Sequence, residues 1–367
     1  MSGPLIGIVG SAGAYGRWLQ RFFRERMGLE VIGHDPADAS SVDASELVRR
    51  ADVLVFSAPI RHTVALIEHY VALADERDAG RLWLDVTSIK SLPVAAMLRS
   101  RAEVVGLHPM TAPPKAPTLK GRVMVVCEAR LDRWRGWLEG FLAALEAECV
   151  HASPGQHDRV MALVQAMVHA THLAQAGVMR GQAGHVGDLA AVMPFRSASF
   201  EMDAAIIARI LSLNPAIYED IQFGNPHAGE ILHALGEQIS RMATLVGEGS
   251  DTARAAFRQE FLRDNREAMG TAALADGNYG YERIGYLLAD LAAGRSLSVH
   301  LPDDRPGALR ALLHVFERHA VSLSSIHSSR TPDGEVHFRI GFDDADPAAL
   351  QKAVLDIVEQ GLGRPLD

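Results

Sequence analysis

The chain has 367 residues, enough for two or three domains at roughly 150 residues each. Its 48% hydrophobic and 22% charged content is that of a globular protein and excludes a disordered, collagen-like or coiled-coil chain. With 36 basic against 45 acidic residues, the net charge of −9 has the wrong sign for broad nucleic-acid or anionic-membrane binding, but it leaves small anionic metabolites open.

Taken in chain order, the first 150 residues alternate short β-rich runs with stretches long enough for crossover helices. The runs are Leu5–Val9, Glu30–His34, Val53–Ser57, Leu82–Val86, Val104–Leu107 and Arg122–Val126. Short Val/Ile/Leu-rich runs spaced this way predict a parallel sheet covered on both faces, an α/β Rossmann-type architecture. From Gln156 to about Ala292 the periodicity turns helical, in Met161–Met179, Ala204–Leu213, Gly229–Val246 and Thr252–Ala272, with breaks at Asn214-Pro215 and Asn225-Pro226. So much apolar helix predicts a second chain to cover it. After Ala293-Gly294 come a strand (Ser296–Leu301), a helix (Pro306–Arg318), a strand (Val321–Ser329), a turn (Thr331-Pro332-Asp333-Gly334), a strand (Glu335–Phe342) and a helix (Pro347–Gln360). The partition is therefore 1–150, 151–294 and 295–367.

Cys127 and Cys149 are the only cysteines and form no C-x-x-C, which excludes a disulfide framework or a cysteine-rich zinc site. No apolar run approaches the roughly 18 residues of a membrane span, and the N-terminus lacks the basic start and apolar stretch of a signal peptide. A cytoplasmic protein without a membrane partner is the expectation.

Chemistry concentrates on one predicted sheet edge. The loop Gly10-Ser11-Ala12-Gly13-Ala14-Tyr15-Gly16 follows the first strand and opens a helix, where glycines permit a tight turn and close approach to a pyrophosphate and the helix start offers free amides. Its spacing is Gly-x-x-Gly-x-x-Gly rather than Gly-x-Gly-x-x-Gly. Asp35 ends the second strand roughly 20 residues on, placed to accept hydrogen bonds from an adenine ribose. A carboxylate there repels a 2′-phosphate, and His34 and Pro36 offer no guanidinium to bind one, so NAD is favoured over NADP. Ser88 and Lys90 leave the fourth run and His108 the fifth, on the edge that carries the glycine loop. Histidine suits acid–base work near neutrality. Farther on, Ile206, Arg209, Ile210 and Leu213 fall at i, i+3, i+4, i+7, which places Arg209 on an apolar stripe where its guanidinium needs an anion, either a bound carboxylate or Asp203, Glu219 or Asp220. Gln165, His169 and His172 share a helix face, but no third ligand completes a zinc site, and no metal is expected.

Four segments in order, Val-Gly-Ser-Ala-Gly-Ala-Tyr-Gly-Arg (9–17), Val-Phe-Ser-Ala-Pro-Ile (55–60), Asp-Val-Thr-Ser-Ile-Lys (85–90) and Gly-Leu-His-Pro-Met (106–110), resemble prephenate dehydrogenases, especially the dehydrogenase half of bifunctional chorismate mutase–prephenate dehydrogenases. The resemblance continues through Gln165–His169 and Ala208–Ile221 and covers roughly residues 5–270. The first strand starts within a few residues of Met1, so no mutase helices are expected before it. The resemblance implies NAD-dependent oxidative decarboxylation of prephenate to 4-hydroxyphenylpyruvate in tyrosine biosynthesis, by a homodimer whose all-α second domain serves dimerisation and substrate binding. It implies His108 as the catalytic base and Ser88 as the group holding the substrate hydroxyl and nicotinamide in register. Arg209, Lys90, His169 and Tyr218 are implied on the substrate side, and Ser57 and Pro59 beside the glycine loop on the cofactor side. Arogenate, with an amino group in place of the keto group, is the rival substrate. A nucleotide- and amino-acid-sensing regulator without chemistry is the rival of another class, although a sensor needs neither His108 nor Arg209.

Residues 295–342 resemble an ACT domain, a small α+β ferredoxin-like amino-acid-sensing module. Asp304-Arg305-Pro306-Gly307-Ala308-Leu309 and Leu323–Arg330 resemble its ligand-contacting blocks, which implies tyrosine as an effector. The chain ends at Gly361–Asp367 without an evident fourth strand, so the module is expected to lack one or to complete it through a partner.

Overall fold

The computed structural model describes residues 3–292, 296–301, 305–330, 336–342 and 344–366. The expected turn at Thr331–Gly334, the boundary at Ala293-Gly294 and Asp304 lie outside these residues. Contacts divide the chain into two compact units, residues 1–114 with 118–244, and residues 115–117 with 245–367.

In the first unit, seven strands form one sheet: β1 (Ile6–Val9), β2 (Val31–His34), β3 (Val53–Phe56), β4 (Leu82–Asp85), β5 (Glu103–Pro109), β6 (Val123–Arg130) and β7 (Glu148–His151). Their order is β2-β1-β3-β4-β5-β6-β7. Period-two alternation sorts the side chains onto two faces. Ile6, Ile8, Val53, Val55, Leu82, Leu84, Val105 and Leu107 pack on one face with Trp18, Phe22, Phe23, Leu138 and Phe141. Val9, Leu54, Phe56, Trp83 and Val104 pack on the other with Leu47, Ile67, Tyr70 and Met97. Helices Ala14–Arg21 and Arg135–Leu145 cover the first face; helices Ala44–Arg50, Ile60–Ala74 and Ser91–Met97 cover the second. The expected double-faced sheet is present, with two departures. β6 runs antiparallel to β5 because residues 110–122 contain no helix to carry the chain back. The sequence reading also omits β7, a short edge strand whose Glu148, Val150 and His151 are exposed and which has no apolar run.

The helical part starts at Ser153, whose side chain accepts from the Gln156 amide while Pro154 occupies the first turn. Winding is continuous from Pro154 through a π-helical turn at Ala162–Met167 into Val168–Val186. Asn214 caps helix Pro215–Gly224 through its side chain, so Asn214-Pro215 both ends helix Ala198–Ser212 and begins the next. Helix Pro215–Gly224 is fastened to the start of helix Ile60–Ala74. Asp220 accepts from Arg61 Nε at 2.7 Å and from the Arg61 amide at 3.2 Å, and Glu219 pairs with the same guanidinium at 3.3 Å.

In the second unit, helices Asp251–Phe257, Asp264–Met269 and Thr271–Ala292 precede a four-stranded antiparallel sheet of β8 (Ser296–Leu301), β9 (Ser325–Arg330), β10 (Val336–Gly341) and β11 (Arg364–Leu366), ordered β11-β8-β10-β9. Val299, Leu301, Phe338 and Ile340 pack with Leu312, Phe316, Ala353 and Ile357 from helices Ala308–Arg318 and Pro347–Glu359. β11 corrects the expectation of a missing fourth strand. It pairs with β8 through Arg364–His300, Pro365–Val299 and Leu366–Ser298. Three residues centred on a proline carry no strand pattern in sequence, and an edge strand tolerates that proline. Among the described residues no helix is long and apolar enough to cross a membrane.

The Arg61 clamp yields a prediction. Arg61→Met keeps the aliphatic stem but leaves the buried Asp220 carboxylate without its guanidinium, and the urea midpoint should fall by the equivalent of about 1–3 kcal/mol, the scale of a hydrogen bond to a charged group. An unchanged midpoint would show the clamp to be idle.

Candidate active site

The carboxyl ends of β1, β3, β4 and β5 share one edge of the sheet, because these strands are parallel. Ligands gather on this side of open α/β sheets. At the end of β1 the chain turns through Gly10, with φ +82°, where a Cβ would overlap the carbonyl oxygen of Ser57. A Cβ on Gly16 would overlap the Gly10 carbonyl. The loop is thus a cradle that only glycines leave open, and helix Ala14–Arg21 begins inside it, which suits a dinucleotide pyrophosphate. Asp35 Oδ2 accepts from the Ala12 amide at 3.0 Å and Oδ1 from the Ala37 amide at 2.9 Å. The carboxylate thereby steadies the loop, and each oxygen keeps a lone pair for a ribose hydroxyl. Tyr15 reaches across to donate to the Thr111 carbonyl at 2.8 Å, and burial pushes its phenol pKa up. Ser57 lies after β3, and Pro59 precedes helix Ile60–Ala74, on the same side of the cradle.

His108, near the end of β5, is only 2% exposed. Its Nδ1 lies 2.8 Å from Nε2 of His157, and His157 Nδ1 lies 2.8 Å from Asp158 Oδ1. Asp158 also accepts from the Lys90 amide (Oδ1, 2.8 Å) and the Ser91 amide (Oδ2, 2.8 Å), so it caps helix Ser91–Met97 from outside. On the other side of the ring, His108 Nε2 lies 3.3 Å from Gln165 Nε2, which the π-helical turn presents. Burial, then the neighbouring His157 and Lys90, hold the His108 pKa well below 6.5, against a smaller opposing pull from Asp158. The imidazole is therefore neutral at pH 7. Burial disfavours the Asp158 charge, but hydrogen bonds from His157, Ser91 and Lys90 outweigh it and lower the carboxyl pKa.

The other expected residues divide. Ser88 is half-buried on the loop after β4, beside the His108 edge. His169 and Tyr218 meet edge to face with ring centroids 4.8 Å apart, which joins the helix carrying Gln165 to helix Pro215–Gly224. Burial and His172 lower the His169 pKa, and its Nδ1 is buried without a hydrogen-bond partner among the described residues. His172 faces Asp203 at 3.3 Å.

Lys90 departs from its expected role as a substrate contact. It is fully buried, its Nζ paired with Asp85 Oδ1 and donating to the Leu107 carbonyl at 2.8 Å, and burial lowers its pKa against the pull of Asp85. Four residues separate this lysine from its carboxylate, and the loop between them folds back on itself. Arg209 departs in the opposite direction. The buried face of helix Ala198–Ser212 is Ala204, Ile207 and Ile210, whereas Ile206 and Leu213 are 38% and 41% exposed. Arg209 is exposed with them, and none of the described residues covers that stripe. The carboxylates weighed as its partners are engaged elsewhere, Asp203 with His172 and Glu219 and Asp220 with Arg61. Sequence reasoning missed His157 and Asp158. Their one signal is a His-Asp pair in the first turns of a capped helix.

A glycine cradle after β1, an acidic residue just past β2 and a buried histidine near the end of β5 define a Rossmann-type dinucleotide-binding fold. Residues 153–259 match the prephenate dehydrogenase dimerization domain, and residues 295–359 match the ACT domain. A 4-amino-4-deoxyprephenate dehydrogenase of Streptomyces pristinaespiralis is 31% identical over 270 residues, which cover 69% of this chain and 88% of that protein. A probable arogenate/prephenate dehydrogenase of Methanocaldococcus jannaschii is 27% identical over 66% of this chain, a match that spans 56% of its own length. The fold is shared with the prephenate dehydrogenase of Aquifex aeolicus, solved with hydroxyphenyl propionate and NAD+, at a TM-score of 0.57 and 17% identity over 74% of this chain and 99% of that one. The chain belongs to the prephenate dehydrogenase family and carries an ACT domain toward its C-terminal end.

Lys90→Met separates the buried ion pair from a substrate contact. Stranding Asp85 should cost about 3–5 kcal/mol, seen as a large drop in the melting temperature, because removing one partner of a buried pair leaves an uncompensated charge. A stable variant with only a raised KM for the substrate would restore the lysine to the pocket.

Proposed function

We propose that the protein is an NAD-dependent prephenate dehydrogenase that converts prephenate to 4-hydroxyphenylpyruvate and CO2. The observation that carries this reading is His108, buried and neutral near a strand end on the same sheet edge as the dinucleotide cradle. The cradle around Gly10, Gly13 and Gly16 and the carboxylate of Asp35 would hold the dinucleotide. No lysine or arginine occurs from His34 to Asp43 to meet a 2′-phosphate, which favours NAD. When bound, the nicotinamide accepts a hydride.

Every other step belongs to the chain. His108 takes the proton of the substrate's ring hydroxyl as the O–H bond breaks, and the oxygen's electron pair pushes a hydride from the same carbon. The C–C bond to the ring carboxylate breaks, CO2 leaves, and its electron pair closes the aromatic ring. The proton then returns from His108 to the phenolic oxygen, so the net loss is one hydride and one CO2. Aromatisation drives the reaction, and the protein's task is to orient substrate and move one proton. Ser88 would hold the hydroxyl, while Arg209, without an ion pair among the described residues, is the cation for a substrate carboxylate. His169 and Tyr218 would border the side chain.

The functional parts are proposed as 1–150 for cofactor, 151–294 for substrate and dimerisation, and 295–367 for an amino-acid effector such as tyrosine. Exposed Val164, Val168, Phe195 and Phe223 on the helical part support a homodimer. Arogenate is the alternative substrate, and the chemistry at His108 would be the same.

The decisive assay is NADH appearance with prephenate and with arogenate, each with and without tyrosine. Turnover of prephenate is expected; absence of turnover with both would overturn the reading. His108→Asn should leave NAD binding within a few-fold and lower turnover by at least ~100-fold, the scale of a lost general base. Arg209→Ala should raise the KM for prephenate far more than that for NAD. Because only the neutral imidazole accepts a proton, and burial holds its pKa low, the wild-type rate should stay level from pH 8 to 7. It should decline only at acidities below the titration of a free imidazole.

A further inference from the structure

We infer that His157 is a positioning residue that, backed by Asp158, locks His108 in the tautomer whose free lone pair lies on Nε2. The inference rests on His108 being the base, and it names both the working atom and the residue that selects it.

Asp158 is fully buried and already accepts from the Lys90 and Ser91 amides. An ionised carboxylate only accepts hydrogen bonds. At 2.8 Å from Asp158 Oδ1, His157 Nδ1 must therefore carry a proton and donate it. With a single proton, held on Nδ1, His157 has its lone pair on Nε2, which faces His108 Nδ1 at 2.8 Å. That contact is a hydrogen bond only if His108 Nδ1 is the donor. A neutral His108 with its proton on Nδ1 has its lone pair on Nε2, pointing at the amide nitrogen of Gln165, 3.3 Å away. The Gln165 side chain fits the same assignment. Its nitrogen, a donor, faces the His108 ring, and its Oε1 is buried without a partner among the described residues. The opposite tautomer of His108 would need a donor at His157 Nε2, which requires either a neutral ring that turns a lone pair to the Asp158 carboxylate or a ring protonated on both nitrogens.

The arrangement also serves the protonated state. Once Nε2 has taken the hydroxyl proton, the imidazolium still donates through Nδ1 to His157, now as a charge-assisted bond. No ring has to flip between the two states. Gln165 would hold the place of the substrate hydroxyl in the free protein and give it up on binding.

The test compares two substitutions, because Asp158 also holds the Lys90–Ser91 backbone and its variants are prone to misfold. His157→Leu removes the acceptor. His157→Gln can accept from His108 with its carbonyl and donate to Asp158 with its amide. His157→Leu should lower kcat roughly 10–100-fold, as loss of an orienting partner does elsewhere, with the KM for NAD within twofold of wild type. His157→Gln should keep at least a third of the wild-type kcat. Independently of substrate, nitrogen-15 spectra of histidine-labelled protein at pH 7.5 should show His108, identified by the signals lost in His108→Asn, protonated on Nδ1. In His157→Leu the population protonated on Nε2 should grow. A folded His157→Leu with kcat within threefold of wild type, a His157→Gln as slow as the leucine variant, or an Nε2-protonated His108 in the unaltered protein would each overturn the inference. If His108→Asn itself kept full turnover, the assignment of the base would fail instead. The nitrogen spectra would still decide which tautomer His157 selects.

Discussion

The carboxylate of Asp158 is the contact on which the rest of the site depends. It lies on the first helix of the helical part, yet three of its hydrogen bonds reach beyond itself to fix different things. The Lys90 and Ser91 amides tie it to the loop and helix after β4, and His157 ties it to the ring at the end of β5. Its own backbone carbonyl accepts from Asn225 Nδ2 at 2.8 Å, which adds the end of helix Pro215–Gly224 to the same knot. A buried charge is tolerated only when its lone pairs are satisfied. Here that requirement joins the sheet to the helical part, and the joint lies against His108.

The sheet was legible because its strands are local objects. Runs such as Val53–Phe56, buried at every residue, can hardly be anything but a central strand, and the loop after Val9 needs its glycines for reasons of space alone. His108 was legible for the same reason, since strand ends in such a sheet share one edge. What stayed hidden depends on partners distant in sequence. Asp158 meets Lys90 across 68 positions and His157 meets His108 across 49, and no periodicity reports such pairings. The helical part misled in another way. When both sides of a helix are apolar, as in Ala198–Ser212, the pattern does not say which side the same chain covers, so Arg209 fell on the wrong stripe.

The two cations singled out in the sequence as substrate contacts sit in opposite surroundings. Lys90 is sealed below the edge, where its charge is answered by Asp85 and its reach ends at the Leu107 carbonyl. Gly106, next to it on β5, has no room for a Cβ, which would come within 2.8 Å of Val94 Cγ2 and 2.9 Å of Lys90 Cδ. Lysine and glycine thus form one packed unit beneath His108. Arg209, by contrast, keeps its charge in the open. A net charge of −9 says nothing about either, because what matters is where each cation is solvated.

The π-helical turn at Ala162–Met167 sets the phase of everything after it. Such a turn holds one residue more than regular winding requires. Removing a single residue there would let the helix close normally and would rotate each later side chain by about 100° about the axis. His169 would leave Tyr218, and His172 would leave Asp203. Length in this short stretch is therefore more tightly constrained than residue identity at most of its positions, so most substitutions should be tolerated there far more readily than any insertion or deletion.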